Sequence, residues 1–224
     1  MSLLISGDLR LSKSQIIPAV IGEPFGGGYF AGYISHTADG NPTHALIVAP
    51  RATGATGSSY TLPTELQWKT TQTLTAGIAS DFDGAANTAA MVTAGIDDHP
   101  AAQFCVNLSI GGFTDWYLPS RYELDIAYFN LKPTTAANQT GWGINIYAVP
   151  QRNSNWSAAY PAQTALTAFN TSAEAFDVGS HWSSTEANAA TGWRFATSSG
   201  GQFNSLTFFK TNSFRWRAFR RIAL

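Results

Sequence analysis

The chain has 224 residues and a formal net charge of −1 at pH 7, and only 12% of its residues are charged. This balance excludes a general electrostatic attraction to nucleic acid or to membranes, and no apolar run reaches the roughly 18 residues of a membrane span. An average soluble protein is about 25% charged, so the polar but weakly charged composition indicates an extracellular or virion-borne protein. The single cysteine, Cys105, excludes an internal disulfide framework, and its apolar neighbours predict a buried thiol.

Residues 1–79 are predicted to be rich in β-structure. Apolar runs bounded by turn residues predict strands over Tyr29–Ile34 and Ala45–Ala49, and a short strand is predicted at Leu66–Thr70. The first eight residues have neither the basic start nor the long apolar core of a signal peptide. We expect this N-terminal part either to complete the domain that follows or to attach it to a larger particle.

Two helices are predicted next, over Asn87–Ala94 and from Asp97 to about Leu108. The acidic residues before the first helix, Asp81 and Asp83, resemble half of a calcium loop, because a hard cation binds clustered carboxylate oxygens. The other ligands of such a loop are missing, so turn and helix-cap roles are favoured and calcium is the minor alternative. No other cofactor is predicted.

The stretch Thr114–Leu124 predicts a rigid corner. Its aromatic residues favour a short strand that stops at Pro119, which lacks the N–H that a strand ladder needs. Ser120 and Glu123 have the three-residue spacing of a capping box, in which each side chain binds the backbone N–H of the other residue. The helix that they open is predicted to end at about Leu131.

The remaining chain is predicted to be a loop followed by strands. In the loop, residues 138–160, Trp142 and Trp156 stand among Gly, Asn and Ser. Three alternating stretches near the C-terminus predict an antiparallel meander. They are Trp193–Thr197, Phe203–Phe209 and Phe214–Phe219. Helices and antiparallel strands in separate parts of the chain indicate the α+β class.

Two motifs in this order carry a resemblance to a known family. The first is Asp115-Trp116-Tyr117-Leu118-Pro119-Ser120 with Glu123-Leu124, and the second is His181-Trp182-Ser183-Ser184-Thr185-Glu186 with Trp193, Phe195, Gly200, Lys210 and Arg217-Ala218-Phe219-Arg220-Arg221. Over about residues 80–224 the chain resembles the DUF1566 family, the domain at the C-terminus of the Legionella collagen-like adhesin. Trp116 and Trp182, one in each motif, are expected to be buried core residues.

The resemblance implies a C-type-lectin-like fold for residues 80–224, with residues 1–79 as an N-terminal β-rich extension. It implies a recognition head, a phage tail-fibre tip or adhesin that binds a bacterial cell-surface glycan or outer-membrane component. The expected partners are that receptor and other virion tail proteins, contacted through the N-terminal part, and the expected assembly is a homotrimer. The expected location is the virion tail, or alternatively the bacterial cell surface. A structural virion subunit without receptor binding, such as a decoration or baseplate protein, is the alternative function.

Catalysis finds little support in the sequence. The four histidines lack metal-ligand spacing, and no Gly-x-Ser-x-Gly nucleophile motif occurs. A glycosidase needs two carboxylates roughly 5–10 Å apart, and the motif residues Glu123 and Glu186 are the candidates, although Glu123 is assigned to the capping box. We therefore expect a protein that is not an enzyme, does not bind nucleic acid and does not insert into membranes.

The C-terminal region is the predicted ligand-binding part. The 38 residues 187–224 contain six arginine and lysine residues and no Asp or Glu, so they carry +6 and the rest of the chain −7. Arg217 and Arg220 match the family motif and are expected to pair with internal carboxylates. Strand alternation places Trp193 and Phe195 on one face and Arg194 on the other. The family resemblance implies that Trp193 and Phe195 point inward, which leaves Arg194 outside. An arginine beside aromatic residues can bind an anionic group of a ligand through hydrogen bonds, or the face of a sugar ring through stacking.

We therefore predict one set of ligand-binding residues, which comprises positions on the C-terminal meander and His181 before it. The set is His181, Arg194, Thr197, Gln202, Asn204, Phe209, Arg215 and Trp216. The loop at residues 138–160 is the alternative location of the site.

Overall fold

The computed structural model describes residues 16–55, 64–170 and 173–224, so the N-terminal residues tested for a signal peptide lie outside it. The strands are β1 (Pro24–Phe25), β2 (Gly28–Ile34), β3 (His44–Val48), β4 (Leu66–Gln67), β5 (Ala148–Val149), β6 (Ser180–Glu186), β7 (Gly192–Ala196), β8 (Gln202–Phe203), β9 (Ser213–Phe214) and β10 (Phe219–Ala223). The helices are α1 (Arg51–Gly54), α2 (Gly84–Gly95), α3 (Pro100–Val106), α4 (Arg121–Leu131) and α5 (Thr167–Asn170), with a 3-10 turn at Ile96–Asp98. None of these helices is long and apolar enough to cross a membrane.

The largest sheet is antiparallel and curled, and its strands follow the order β1-β2-β3-β10, with β5 beside β2. β3 lies between β2 and β10 and pairs with both of them along its whole length. Strands from both sides of residue 79 therefore share one sheet, which is the arrangement expected if the N-terminal part completes the fold. Helices and antiparallel sheets place the protein in the α+β class, as predicted.

β3 separates two apolar clusters and is buried on both faces. Leu46 and Val48 belong to the first cluster, which the apolar face of α4 covers, whereas Ile47 belongs to the second cluster. The second cluster contains four buried tryptophans from distant parts of the chain: Trp68, Trp116, Trp182 and Trp216. The predicted burial of Trp116 and Trp182 is confirmed, and Cys105 is a buried free thiol, also as predicted.

The predicted capping box opens α4. Ser120 Oγ accepts a hydrogen bond from the backbone N–H of Glu123 (3.4 Å), and Glu123 Oε2 accepts one from the backbone N–H of Ser120 (2.7 Å). Two backbone donors that the first helical turn leaves unpaired are thereby satisfied. Four side chains of α4 reach the first cluster on the predicted face, namely Leu124, Ala127, Tyr128 and Leu131.

The aromatic strand predicted before this cap is wrong. Tyr117 and Phe219 exchange two backbone hydrogen bonds, but the pairing is an isolated bridge. The next residue, Leu118, donates its backbone N–H to the hydroxyl of Thr88 in α2 (3.2 Å). A side-chain acceptor thus replaces the neighbouring strand that a longer ladder would need.

The predicted C-terminal meander is wrong in its last stretch. β6, β7 and β8 form an antiparallel sheet of three strands, but β9 pairs with β4 and β10 pairs with β3. Residues 216–219 are buried one after another, so the alternation of a half-exposed strand does not hold there. Trp216 belongs to one apolar cluster and Phe219 to the other, because the chain crosses the interior at this point.

Two arginines of the C-terminal motif have internal carboxylate partners, as predicted. Arg217 Nη2 lies 3.1 Å from Glu174 Oε2, and Arg220 Nε pairs with Asp115. The pair of Arg217 is almost fully buried, whereas Asp115 is largely exposed. Much of the positive charge of the C-terminal region therefore takes part in ion pairs within the protein.

Candidate ligand-binding groove

Three members of the predicted ligand-binding set, His181, Thr197 and Trp216, are buried and do not reach the surface. The ring of His181 meets the edge of Phe176, with 6.0 Å between centroids. Thr197 Oγ1 donates a hydrogen bond to the carbonyl oxygen of Asp177 (2.6 Å). These three predictions are corrected, because each side chain packs in the interior: His181 against Phe176, Thr197 on the backbone of Asp177, and Trp216 in the second apolar cluster.

Four other members, Arg194, Asn204, Phe209 and Arg215, are at least partly accessible. Arg215 Nη1 lies 3.4 Å from Glu65 Oε1, so its charge is partly balanced at the surface.

Arg194 points outward from β7 as predicted, but aromatic rings enclose its guanidinium. The guanidinium carbon lies 3.8 Å from the ring centroid of Phe208 and 4.8 Å from that of Phe203. Its Nη1 donates to the hydroxyl of Ser180, and burial lowers the pKa of the guanidinium. Arg194 therefore organises the loop after β8 through cation–π contacts, besides any contact with a ligand.

A shallow groove of about 190 Å³ lies on the opposite face of that sheet. Three segments that are distant in sequence meet there: the first turn of α4, the loop at residues 141–155 and β8. The lining residues are Arg121, Tyr122, Gly141, Trp142, Gly143, Ile144, Asn155 and Gln202. We refer to this feature as the Trp142 groove.

Stacked side chains form one wall of the Trp142 groove. The guanidinium of Arg121 lies 4.3 Å from the ring centroid of Trp193 and 4.7 Å from that of Tyr122. Trp142 meets Trp193 edge-on, with 6.3 Å between ring centroids. Trp193 remains partly exposed, in contrast to its predicted inward position, whereas Phe195 is buried as predicted. The wall offers aromatic surface and guanidinium N–H donors together.

Gln202 lies at the floor of the Trp142 groove and is the member of the predicted set that the structure places in a site. It pairs with Phe195 in the β7–β8 register, and only 2% of the residue is exposed. Its Oε1 is buried and accepts no hydrogen bond from the described chain. An unsatisfied buried acceptor costs about 1–3 kcal/mol.

A buried carboxylate in α4 holds the loop that forms the other wall. Asp125 Oδ1 accepts a hydrogen bond from Asn145 Nδ2 (2.6 Å) and pairs with Arg152. The backbone N–H of Trp156 donates to the carbonyl oxygen of Trp142 (2.7 Å), which closes the loop. The groove is thus built on the rigid helix α4.

The two acids of the calcium alternative have protein partners. Asp83 Oδ1 accepts a hydrogen bond from the N–H of Ala86 (2.8 Å) as the N-cap of α2, and also from Arg221 Nη1 (2.7 Å). Asp81 Oδ1 lies 2.9 Å from Arg121 Nε. In the part of the chain that the structure describes, no group of three His, Cys, Asp or Glu side chains is placed to hold a metal ion.

The two glutamates considered for glycosidase chemistry are occupied by internal bonds. Glu123 is fully buried and accepts hydrogen bonds from the hydroxyl of Tyr117 and the N–H of Ser120, both at 2.7 Å. Burial raises the pKa of Glu123 to about 7. Glu186 forms an ion pair with Lys210, whose side chain is fully buried. The described contacts therefore assign structural roles to both carboxylates.

A larger cleft of about 500 Å³ lies elsewhere, beside α5 and residues 175–178. Its charged lining residues, Arg51 and Asp177, pair with each other. The amide of Gln163, which also lines it, donates to the carbonyl oxygen of Pro133 (2.7 Å). These polar groups already have partners, so the Trp142 groove is the better candidate site.

The buried His181 gives an expected pH dependence of stability. Burial lowers the pKa of its imidazole to about 4, below the ordinary 6.5. The unfolded chain binds this proton more readily, so stability is expected to fall by about 3 kcal/mol from pH 6.5 to pH 4 on account of His181. His181→Phe keeps a ring against Phe176 and should reduce this fall, as measured by urea unfolding at several pH values.

The comparison of the two proteins isolates His181, because the other shifted groups are the same in both. Burial also lowers the pKa of His36 to about 4, so a residual fall should remain in the variant. The raised pKa of Glu123 has the opposite effect, because protonation of this carboxyl favours the folded state as the pH falls. A variant whose stability falls as steeply as that of the native protein would contradict the assignment.

The sequence contained weak signals for the Trp142 groove. Trp142 lies in a loop of Gly, Asn and Ser, where no helical or strand periodicity predicts that a large aromatic side chain is buried in the core. Gln202 belonged to the predicted set, but Arg121 and Asn155 carried no signal. Only folding brings the side chains of these separate segments together.

No family model matches the chain, and no curated protein matches it. The likeness to the adhesin domain therefore depends on the two sequence motifs alone and stays a prediction.

Proposed function

We propose that the chain is a non-enzymatic recognition head with a C-type-lectin-like fold that binds a bacterial cell-surface glycan. It acts at the tip of a phage tail fibre, or alternatively as an adhesin on a bacterial surface. The family resemblance gives the class of protein, and the Trp142 groove gives the site. The partly exposed ring of Trp142, together with the side-chain amides of Asn155 and Gln202 in the same groove, is the observation that carries this proposal.

The chemistry of the groove suits a sugar. A sugar ring has an apolar C–H face that packs on aromatic rings and a hydroxyl edge that both donates and accepts hydrogen bonds. Trp142 offers ring surface, and Asn155 and Gln202 offer amide groups. A few polar groups among apolar side chains are typical of small-ligand sites, where they give orientation and specificity.

The assembly that we propose is a homotrimer attached to other virion tail proteins through the N-terminal part. A shallow groove makes few contacts with each ligand molecule, so a single site is expected to bind weakly. Three linked sites on a dense bacterial surface raise the effective concentration and hence the avidity.

The test is binding of the native protein and of Trp142→Ala to an array of bacterial surface polysaccharides. Native binding to at least one glycan is expected, with at least a 10-fold loss in the variant, because truncating an aromatic anchor costs on the order of 2 kcal/mol. Leu74→Ala removes an exposed apolar side chain outside the groove and should bind like the native protein.

Asn155→Ala is the second groove variant, because Trp142 also packs against the first apolar cluster. Melting temperatures identify any variant that has lost its fold. If both groove variants bind like the native protein while Arg194→Ala does not, the site lies on the other face of the sheet and the proposal is wrong.

The alternative function, a structural virion subunit, is favoured by a different observation. Leu206 in the loop after β8 is 66% exposed, and Phe209 beside it is partly exposed. Apolar side chains at the surface are typical of contacts between subunits. Under this alternative, Leu206→Ser would block incorporation into particles, and no groove variant would alter adsorption to cells.

A further inference from the structure

A second depression, of about 270 Å³, lies next to the Trp142 groove. Asn155 lines both of them, so the two features meet at this residue. The second depression is lined by Phe129, Pro150, Gln151, Arg152, Asn153, Ser154, Asn155, Trp156 and Tyr160. We refer to it as the Tyr160 depression.

Size indicates that the two depressions act together. The Trp142 groove, at about 190 Å³, is smaller than the roughly 300 Å³ at which small-molecule pockets begin. A ligand that continues past Asn155 into the Tyr160 depression buries more surface than either depression offers alone. The polar tip of the loop, Asn153 and Ser154, is exposed along this path.

The Tyr160 depression presents an aromatic platform. Tyr160 is 60% exposed, and its ring meets Phe129 edge-on at 5.5 Å between centroids, with an interplanar angle of 82°. Phe129 is also covered by the guanidinium of Arg152, 4.6 Å from its centroid. The ring of Tyr160 is therefore held in position while much of its surface remains open to a ligand.

Charge is balanced in both depressions. Among the residues that the structure describes, Arg121 and Arg152 are the charged ones that line them. Arg121 pairs with Asp81, and Arg152 pairs with the buried Asp125. An anionic ligand would compete with these internal carboxylates, whereas an uncharged ligand uses the remaining N–H donors and leaves both pairs intact.

We propose that the two depressions form one site for an uncharged polysaccharide and hold at least two consecutive sugar units, one on each side of Asn155. This inference rests on the proposed function and specifies its ligand class. Trp142 contacts one unit and Tyr160 the next, and the amide of Asn155 bonds near the linkage between them.

The experiment uses an array of neutral and acidic bacterial polysaccharides, followed by fragments of the best neutral binder with one, two and four sugar units. Affinity should rise at least 10-fold from one unit to two. Tyr160→Ala should lose at least 10-fold for fragments of two or more units and change little for one unit. Tyr160→Phe keeps the ring and should bind like the native protein.

The salt dependence of the affinity distinguishes a site for an uncharged glycan from a site for an acidic one. Because the ligand carries no charge, raising the salt concentration from about 0.05 M to about 0.5 M should change its affinity less than twofold. Binding restricted to acidic polysaccharides, with a steep loss in salt, would overturn the inference and indicate a site at Arg194.

The outcomes distinguish the inference from the function on which it rests. If the native protein binds no glycan, the proposed function itself is wrong. If it binds one sugar unit as tightly as four, or if Tyr160→Ala binds long fragments normally while Trp142→Ala does not, the function stands and the extended site is wrong. Tyr160→Leu, which keeps apolar bulk without a ring, serves if Tyr160→Ala melts early.

Discussion

Glu174→Ala is expected to destabilise the protein by about 3–5 kcal/mol, the usual cost of leaving a buried charge without its partner. Arg217 is fully buried, and a carboxylate oxygen of Glu174 lies 3.1 Å from its guanidinium. Burial lowers the pKa of Arg217 to about 10 even with Glu174 in place. An arginine side chain stays protonated near neutral pH, so the variant keeps the desolvation cost of the buried charge and loses its ion-pair partner.

The remaining contacts of Arg217 do not replace the carboxylate. Its Nε donates to the carbonyl oxygen of Ala49 (2.9 Å) and its Nη1 to the backbone carbonyl oxygen of Glu174 (2.7 Å). These acceptors satisfy N–H groups but carry no net charge. Denaturant unfolding of native and Glu174→Ala protein at neutral pH measures the difference.

Glu65→Ala is the matched control, because Glu65 pairs with Arg215 and both side chains are substantially exposed. Ion pairs at the surface contribute only about 0–1 kcal/mol, so this variant should unfold almost like the native protein. Equal losses in the two variants would show that burial does not determine the strength of these pairs, and the structural role given to Arg217 would be wrong.

Local chemistry made several parts of the fold predictable from sequence. Ser120 and Glu123 form their capping box because the spacing alone brings each side chain to the other's backbone. β2 and β3 follow from apolar runs between glycine-rich and Asp-Gly turns, and α4 follows from its cap and its helical periodicity. In each case the residues that determine the structure lie within one turn or one strand.

Contacts between distant segments were not predictable in the same way. The last strand departs from the predicted meander because β10 pairs with β3, about 170 positions earlier in the chain. The alternation of apolar and polar residues predicts a strand, but it does not indicate which strand is its partner. Trp216 was assigned to the surface on that meander, but it lies in the second apolar cluster, where the chain crosses the interior before β10. The Trp142 groove depends on the meeting of α4, a loop and β8.

Trp182→Ala is expected to cost about 3–5 kcal/mol and to give little soluble protein, because it empties a large volume at the centre of the second cluster. Trp182 is completely buried, and its ring meets Phe214 of β9 at 4.8 Å between centroids. Its indole N–H donates to the carbonyl oxygen of Leu66 in β4 (2.9 Å). One side chain therefore joins β6 to the two-stranded sheet of β4 and β9.

Two further variants distinguish the contribution of Trp182 packing from that of its indole hydrogen bond, and a buried tryptophan from a partly exposed one. Trp182→Phe keeps most of the apolar contact but loses the indole donor, so it should cost less than Trp182→Ala. Trp193→Ala changes the same residue type on the neighbouring strand, where the ring is partly exposed at the Trp142 groove, and should unfold only slightly more easily. If Trp182→Ala is well folded and stable but no longer binds a glycan, Trp182 belongs to the ligand site, and the separation between core and groove is wrong.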